Sequence, residues 1–332
     1  MPQDGVQAAK SIHEGALFAR ANVVGVAVGT KVIGGQETTE RCVVVFVERK
    51  RREDELRRRD IVPRDLGGVR TDVVETGRFR ALRILEPEAV DRTRAVRPAP
   101  GGVSIGHVLI TAGTLGVAAH RRGRPIILSN NHVLANANDA RPGDLILQPG
   151  PADGGRTQDA IGRLTDFVPI QFNEGRLGAI GRLLERALRP ALAAAGLGLK
   201  RLPSGRTNLI DAAIADPISA DLLDPEILGI GRVAGAAEAS IGMRVRKSGR
   251  TTSTTEGRIS ALDAVVEVDY GGKTAVFRQQ LVSNLLSRGG DSGSLVVDDR
   301  NRGVGLLFAG GSTTTLMNPI GAVLQFLELS LS

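Results

Sequence analysis

Short runs of aliphatic residues, separated by turns that contain glycine or proline, make up most of the chain. Runs such as Arg41 to Glu48 and Val304 to Ala309 have the length and the Val/Leu content of buried strands. Gly257 to Val268 and Thr274 to Leu281 lie on either side of Gly271-Gly272, a pattern that predicts a hairpin. The pattern as a whole predicts a mostly β protein.

The strand-like runs fall into two parts of unequal size. Residues 1–78 are predicted to form a small N-terminal α/β unit, in which the charged run from Arg49 to Arg59 has the pairing potential of an exposed helix. Residues 79–100 contain three prolines, several charges and no clear period, so they are predicted to be a linker. Residues 101–332 form the larger predicted domain, in which strands alternate with glycine-rich turns.

Residues 174–200 interrupt the β pattern with a helical period. Leu177, Ile180, Leu184 and Leu188 are spaced by three or four residues, and arginines occupy the other faces. Pro190 is expected to kink or split this helix. A basic amphipathic helix can bind a membrane surface or a partner, but we favour the simpler interpretation that its apolar stripe packs on the domain.

Composition limits the function classes. Tryptophan is absent and aromatic residues make up 3%, so the core must be aliphatic. The net charge of +7 comes from arginines spread along the chain without aromatic residues between them, which favours a solvated basic surface over a nucleic-acid footprint. The single cysteine, Cys42, excludes an intramolecular disulfide and is predicted to lie in the core. With no secretory signal and no run of ~18 apolar residues, we expect a cytoplasmic protein that does not use a membrane.

Three polar residues have the settings that nucleophilic catalysis requires. His132 ends an aliphatic run, in Ser129-Asn130-Asn131-His132. Asp211 is surrounded by apolar residues, and a buried carboxylate costs several kcal/mol unless a partner such as an imidazole is present. Ser292 lies in a glycine-rich turn, which would lift its hydroxyl clear of the chain and leave amides available to an oxyanion. The order His132, Asp211, Ser292 is that of the chymotrypsin-type triad.

From about Gly101 to its end, the chain resembles the trypsin/chymotrypsin-fold serine proteases. The motif ending at His132 is similar to the histidine corner of that family, and Asp211-Ala212-Ala213-Ile214-Ala215 is similar to its aspartate strand. Gly290-Asp291-Ser292-Gly293-Ser294 is similar to its nucleophile loop, with Ser294 where a second glycine is common. The N-terminal unit and the inserted helix more loosely resemble intracellular trypsin-like proteins of the plant narrow-leaf type and their bacterial relatives. The resemblance implies a double β-barrel trypsin-like domain with a small N-terminal α/β unit and an inserted helix.

The same resemblance implies residue roles. Ser292 would attack the scissile carbonyl, His132 would act as the base, and Asp211 would orient the imidazole. The backbone N–H groups of Gly290 and Ser292 would form the oxyanion hole. In many secreted relatives the acid beside the serine pairs with a new N-terminus, whereas Asp291 is expected to have another partner in this chain.

The resemblance also implies a specificity pocket, because Leu286 stands, relative to Ser292, where the family has its specificity residue. Leu286 is predicted to form its base and the strand that contains Phe308 and Gly310 its wall, which suggests cleavage after a small or medium apolar residue. No cofactor is expected. The four histidines are scattered and there is no cysteine pair, so a metal site is not expected either.

The sequence leaves more than one function open. The leading hypothesis is a cytoplasmic serine endopeptidase that acts on polypeptides. The alternative is a trypsin-fold protein-interaction module with weak or no proteolysis, for which the N-terminal unit and the basic surface are the motivation. Nucleic-acid binding through the basic surface is a third, disfavoured hypothesis. Self-association into a homo-oligomer through the N-terminal unit also stays open.

Overall fold

The computed structural model describes residues 3–34, 36–81, 91–173, 207–311 and 313–331. Strands dominate this part of the chain, which confirms the prediction of a mostly β protein. They form one sheet of ten strands, one of seven and one of three. The predicted helix at residues 174–200 lies outside the described residues. None of the helices in the described ranges has both the length and the apolar character needed to cross a membrane.

The N-terminal unit is one helix packed on three strands. Its elements are α1 (Gln3–Phe18), β1 (Val23–Ile33), β2 (Gln36–Val47) and β3 (Thr71–Glu75). β1 and β2 are antiparallel, and β3 runs parallel to β2. Cys42 is buried as predicted, and burial raises the pKa of its thiol to about 12.

The charged run before β3 is not the helix that its charge pattern suggests. It forms two single turns, Glu53–Glu55 and Arg58–Asp60, and neither contains a buried residue. Short helices in water depend on packing an apolar face, and Leu56 is the only apolar residue between Arg49 and Arg59.

Both ends of the segment predicted as a linker are paired strands. They are β4 (Phe79–Ala81) and β5 (Ala99–Gly101). Residues 82–90 lie outside the described residues. Arg92, which follows, is buried and donates from Nη1 to the carbonyl of Gly102 at 3.2 Å. The domain boundaries at residues 78 and 100 therefore stay a prediction, whereas the ends of the segment between them are fixed to the rest of the protein.

The seven-stranded sheet contains the first half of the predicted protease domain. Its strands are β6 (Ser104–His107), β7 (Gly113–Thr114), β8 (Val117–Arg121), β9 (Arg124–Ser129), β10 (Leu145–Leu147), β11 (Ala160–Phe167) and β12 (Ala213–Pro217), and the short helix α2 (Asn131–Leu134) follows β9. They lie side by side in the order β7-β6-β10-β11-β12-β9-β8. The small sheet joins β5 to β13 (Leu223–Ile227) and β14 (Gly231–Arg232).

The ten-stranded sheet contains the second half and closes on itself. Its later strands are β15 (Arg244–Gly249), β16 (Ser253–Asp269), β17 (Thr274–Ser283), β18 (Leu295–Asp298), β19 (Gly303–Gly310) and β20 (Thr315–Pro319), followed by α3 (Ile320–Leu327). The order is β15-β18-β19-β20-β17-β16, and β15 also pairs with β16, so these strands form a closed barrel. The predicted hairpin is β16 and β17.

The N-terminal unit extends this second sheet. β1 pairs antiparallel with β16, in a register that includes Val26 opposite Val265. Val43 and Val45 of β2 share a buried cluster with Val265 and Val276 of the barrel. The unit and the barrel therefore share both strand pairing and a core.

The two large sheets meet through aliphatic residues and close backbone contacts. Leu128 and Ile214 of the first sheet share a cluster with Leu295 and Leu306 of the second. A Cβ on Gly113 would lie 2.5 Å from Val133 Cγ2 and 3.0 Å from the carbonyl oxygen of Ser292, so only glycine fits there. This contact places the short helix that follows β9 near the turn that precedes β18.

Candidate active site

His132 and Asp211 are held together by the first sheet. β12 pairs with β9 so that Ala213 lies opposite Ser129, which places the residues just before β12 beside α2. His132 Nδ1 lies 2.6 Å from Asp211 Oδ2, and the His132 backbone N–H donates to Oδ1 at 3.2 Å. The aspartate is fully buried and the histidine is 6% exposed. The structure therefore joins two of the three predicted catalytic residues by a buried hydrogen bond.

Asp211 lies in a corner two residues before the first residue of β12, whereas its resemblance to the aspartate strand had suggested that it lies in the strand. Its backbone groups bind side chains instead of a neighbouring strand. Its N–H donates to Asn318 Oδ1 at 3.0 Å, and its carbonyl accepts from Asn130 Nδ2 at 2.7 Å. Asn318 Nδ2 in turn donates to Gln280 Oε1 at 2.7 Å. Asn130 and Asn318 thus hold the backbone of Asp211 on both sides.

Tyr270 is a residue of this site that the sequence reasoning missed. Its hydroxyl donates to Asp211 Oδ2 at 2.8 Å, so this oxygen accepts from both the tyrosine and the imidazole. The ring also meets His132 edge to face, with centroids 5.8 Å apart. Its position as the only tyrosine of the chain, directly before Gly271-Gly272, was the available signal.

Replacing Tyr270 by phenylalanine should lower kcat/KM for a cleaved peptide by about tenfold. A hydrogen bond to a charged group contributes ~1.5–3 kcal/mol, and removing it loosens the orientation of Asp211 while the ring is retained. We expect kcat to fall and KM to stay unchanged. Phe172→Leu is the control, because Phe172 contacts the Tyr270 ring, with centroids 5.5 Å apart, without touching the carboxylate. Equal losses in the two variants would show that aromatic packing, and not the hydroxyl, is what matters.

Ser292 lies on the turn before β18. Its side chain is fully buried, and its Oγ donates to the carbonyl of Phe308 at 3.3 Å. Thr114 of the first sheet holds the turn, since its N–H donates to the Ser292 carbonyl at 2.8 Å and its Oγ1 to the Gly290 carbonyl at 2.7 Å. His132 Nε2 is buried and has no hydrogen-bond partner within the described ranges. Since Gly113 packs against both Val133 and the Ser292 carbonyl, the serine turn lies near the segment that carries His132, with the serine hydroxyl directed at Phe308.

The backbone of this turn requires glycine at two places. Gly290 has φ of 97° and Gly293 has φ of 96°, a region that side chains disfavour. A Cβ on Gly293 would also overlap Ser129 Oγ and the Thr114 carbonyl. The amides of Gly290 and Ser292 lie on this turn, and their role as an oxyanion hole stays a prediction.

Asp291 has a buried lysine as its partner, which the sequence had left unidentified. Lys247 Nζ lies 3.4 Å from Asp291 Oδ2, and both side chains are fully buried. The carboxylate also accepts the N–H groups of Thr251 and Thr252, at 2.9 and 3.1 Å, and the Thr252 hydroxyl at 2.6 Å. Burial lowers the pKa of Lys247, and the charge of Asp291 opposes that shift. The acid beside the serine is therefore neutralised from within the chain.

The structure corrects two of the three predicted pocket residues. Leu286 is 55% exposed and cannot form the base of an enclosed pocket. Its neighbour Ser287 turns inward instead, with its hydroxyl 2.6 Å from that of Thr315, and adjacent residues of an extended segment face opposite sides. The Phe308 side chain is buried in the barrel against Phe277, with centroids 4.9 Å apart, so only its carbonyl reaches the site. Gly310 pairs with Arg80 of β4 and with Thr315 of β20.

No family model matches this chain. Among solved structures, it is similar to the chymotrypsin of Cellulomonas bogoriensis, with 18% identity, a TM-score of 0.42, and coverage of 69% of this chain and 96% of that one. It is similar to protease A of Thermobifida fusca, with 18% identity, a TM-score of 0.43 and the same coverage. A glutamic acid-specific serine protease matches with 18% identity, a TM-score of 0.46, and coverage of 70% and 100%. At these values the likeness carries no argument about activity.

Proposed function

We propose that the chain is a serine endopeptidase of the trypsin/chymotrypsin type, which hydrolyses peptide bonds through an acyl-enzyme on Ser292. One observation carries the proposal: a buried histidine–aspartate hydrogen bond lies at the strand ends of one sheet, and the same sheet holds, through Gly113 and Thr114, the tight glycine turn that carries the serine. A Ser-His-Asp triad requires this combination of a base, a group that orients it and a nucleophile.

The geometry supports the following sequence of steps. Asp211 accepts a hydrogen bond from the N–H of His132 Nδ1, which keeps the proton on that nitrogen and leaves Nε2 unprotonated and able to act as a base. The Ser292 hydroxyl turns from the Phe308 carbonyl toward Nε2, gives up its proton and attacks the scissile carbonyl. The imidazolium, stabilised by Asp211, then protonates the leaving amine. A water molecule, deprotonated by the same Nε2, hydrolyses the ester and restores the serine.

The amides of Gly290 and Ser292 are proposed to stabilise the oxyanion that forms in both steps. The positive φ of Gly290 supports this role, because a residue without a side chain lets the turn present its amides on one side. In a characterised protease, removing one such donor costs roughly 3–4 kcal/mol of transition-state stabilisation. The ion pair of Asp291 with Lys247 supports the conformation of the same turn.

An unbiased peptide-library digest tests the proposal and reports pocket preference at the same time. We expect wild-type protein to cleave a subset of the peptides and Ser292→Ala to cleave none. His120→Ala is the matched control, since His120 lies on β8 at its bridge to Ser330 and should leave cleavage unchanged. If folded wild-type protein cleaved none of the library peptides, that result would contradict the proposal.

An interaction module with weak or no proteolysis is the second candidate. The observation that favours it is the direction of the Ser292 hydroxyl, which bonds the Phe308 carbonyl, while the described residues offer His132 Nε2 no hydrogen bond. Binding of library peptides that leaves every peptide intact would select this candidate. The cytoplasmic location and self-association remain predictions of the sequence.

A further inference from the structure

One edge of β19 carries three segments in succession. Leu306 pairs with Leu295 of β18, and the next residue, Leu307, exchanges backbone hydrogen bonds with Gly293 and Ser294 of the nucleophile turn. Phe308 then offers its carbonyl to Ser292 Oγ. Along this edge of β19, the residues that contact the nucleophile turn are followed directly by Ala309 and Gly310, which pair with β4.

β4 covers those last two residues. Ala309 pairs with Ala81 and Gly310 with Arg80, in antiparallel register. β20 pairs with the same two residues of β19, so β4 must lie on the opposite edge, the one that continues from the nucleophile turn.

This edge is where a polypeptide substrate has a strand to bind. An extended peptide binds a protein through backbone hydrogen bonds to a free sheet edge, and its side chains then enter adjacent pockets. A peptide whose carbonyl reaches Ser292 has the Phe308–Gly310 segment as the neighbouring edge. The chain's own β4 fills that position.

The other edge of β4 is paired as well, and one of its side chains is buried in the barrel. It pairs in parallel with Val268 and Asp269 of β16, the two residues before Tyr270. The Phe79 side chain is 1% exposed and meets the Phe46 ring edge to face, with centroids 5.8 Å apart. It shares a buried cluster with Phe308 and Tyr270. The strand is thus held between the two strands that position Ser292 and Asp211.

We propose that Phe79–Ala81 is an autoinhibitory strand that occupies the peptide-binding edge of β19, and that displacing it admits polypeptide substrates. This inference rests on the proposed protease function. Because the strand is part of the same chain, its effective concentration at the edge is far above that of a typical substrate, so it competes well despite its length. Displacing β4 should leave the three catalytic residues in place, since Asp211, His132 and the turn of Ser292 are held by contacts outside β4.

Proline substitutions in β4 test the inference. Proline lacks the N–H that a strand donates, and neighbouring residues direct their N–H groups to opposite sides. One of Ala81→Pro and Arg80→Pro therefore removes a donor directed toward β19, and the other a donor directed toward β16. Ala81→Ser keeps the N–H and is the matched control. We expect kcat/KM for an extended peptide to rise about tenfold in at least one proline variant, the effect of losing roughly one hydrogen bond, and not in the serine variant.

A small fluorophosphonate separates this inference from the proposed function, because it reacts with the serine without needing the β19 edge. We expect equal labelling rates in all variants, and inhibition of the activated variant by a peptide with the sequence of Thr76–Ala81 but not by a scrambled one. Normal labelling with unchanged peptide hydrolysis in both proline variants would overturn autoinhibition alone. Absence of labelling in every folded variant, wild type included, would overturn the protease function and this inference with it.

Discussion

Replacing Asp211 by asparagine is expected to lower kcat/KM for a cleaved peptide by about 10⁴-fold. The carboxylate accepts a hydrogen bond from the N–H of His132 Nδ1 at 2.6 Å, whereas an asparagine amide would donate a hydrogen bond to that nitrogen. The imidazole would then carry its proton on Nε2, where it cannot accept one from Ser292. The tautomer, and not the position of the ring, is what changes, so the effect should appear in kcat. Steady-state hydrolysis of a peptide identified in the library digest measures it.

A second histidine–aspartate pair provides the control for this variant. His107 Nε2 lies 3.1 Å from Asp144 Oδ2 in the same sheet, and the proposed mechanism does not use it. Asp144→Asn should therefore leave kcat/KM unchanged. If Asp211→Asn lost less than about tenfold while remaining folded, Asp211 would not be the group that orients the base.

Replacing Lys247 by methionine should destabilise the protein by about 3–5 kcal/mol and abolish most of the activity. The change leaves the Asp291 carboxylate buried without its cation. A buried charge that has lost its partner destabilises the folded state, because its desolvation is no longer offset. Asp291 directly precedes Ser292 and accepts the backbone N–H of Arg288 at 2.9 Å, so the turn that carries the nucleophile should shift. Chemical denaturation and fluorophosphonate labelling measure the two effects.

The double variant Lys247→Met/Asp291→Asn is the matched test of the pairing. Removing both charges should recover much of the lost stability, because the buried carboxylate is no longer unpaired. Activity should stay low, since one amide oxygen cannot replace both carboxylate oxygens in holding Thr251, Thr252 and Arg288. Additive destabilisation in the double variant would show that the two side chains do not stabilise each other.

The same pair gives a pH dependence in which activity and stability diverge. Burial lowers the pKa of Lys247 below its ordinary 10.5, so this lysine loses its proton in the folded protein before it does so in the unfolded chain. At pH values between the lowered pKa of Lys247 in the folded protein and 10.5 in the unfolded chain, the unfolded chain binds one proton more than the folded protein. The contribution of Lys247 to the free energy of unfolding therefore rises with pH in that range. Over the same range the ion pair with Asp291 gives way to a hydrogen bond from the neutral amine, which is weaker but which a methionine at position 247 would lack altogether. Labelling of wild-type protein should therefore fall on the alkaline side, below pH 10.5.

Local sequence patterns predicted the strands well because a strand depends on nearby apolar residues and turns. The hairpin at Gly271-Gly272 and the strands around Ser292 follow from such patterns. The candidate triad followed from residue type, chain order and family resemblance. Its histidine–aspartate contact is present in the structure, and the serine hydroxyl bonds the Phe308 carbonyl instead of the imidazole.

Contacts between distant parts of the chain could not be predicted in this way. Nothing near Lys247 in the sequence shows that Asp291 neutralises it, and nothing near Tyr270 shows a bond to Asp211. The pairing of β1 with β16 and of β4 with β19 joins strands more than 200 residues apart. The error at Leu286 has another cause: in an extended segment a shift of one residue reverses which side chain faces inward. Ser287, and not Leu286, turned out to face the barrel.

We propose above that Ser292 is a nucleophile activated by His132 and Asp211. The most direct measurement is mass spectrometry of wild-type protein after reaction with a fluorophosphonate, followed by peptide mapping of the adduct. We expect one adduct per chain, located on Ser292, and at least about a hundredfold slower reaction when His132 is replaced by alanine, because general-base catalysis contributes ~10²–10⁴-fold. A folded wild-type protein that forms no adduct, or one whose adduct lies on another residue, would contradict it.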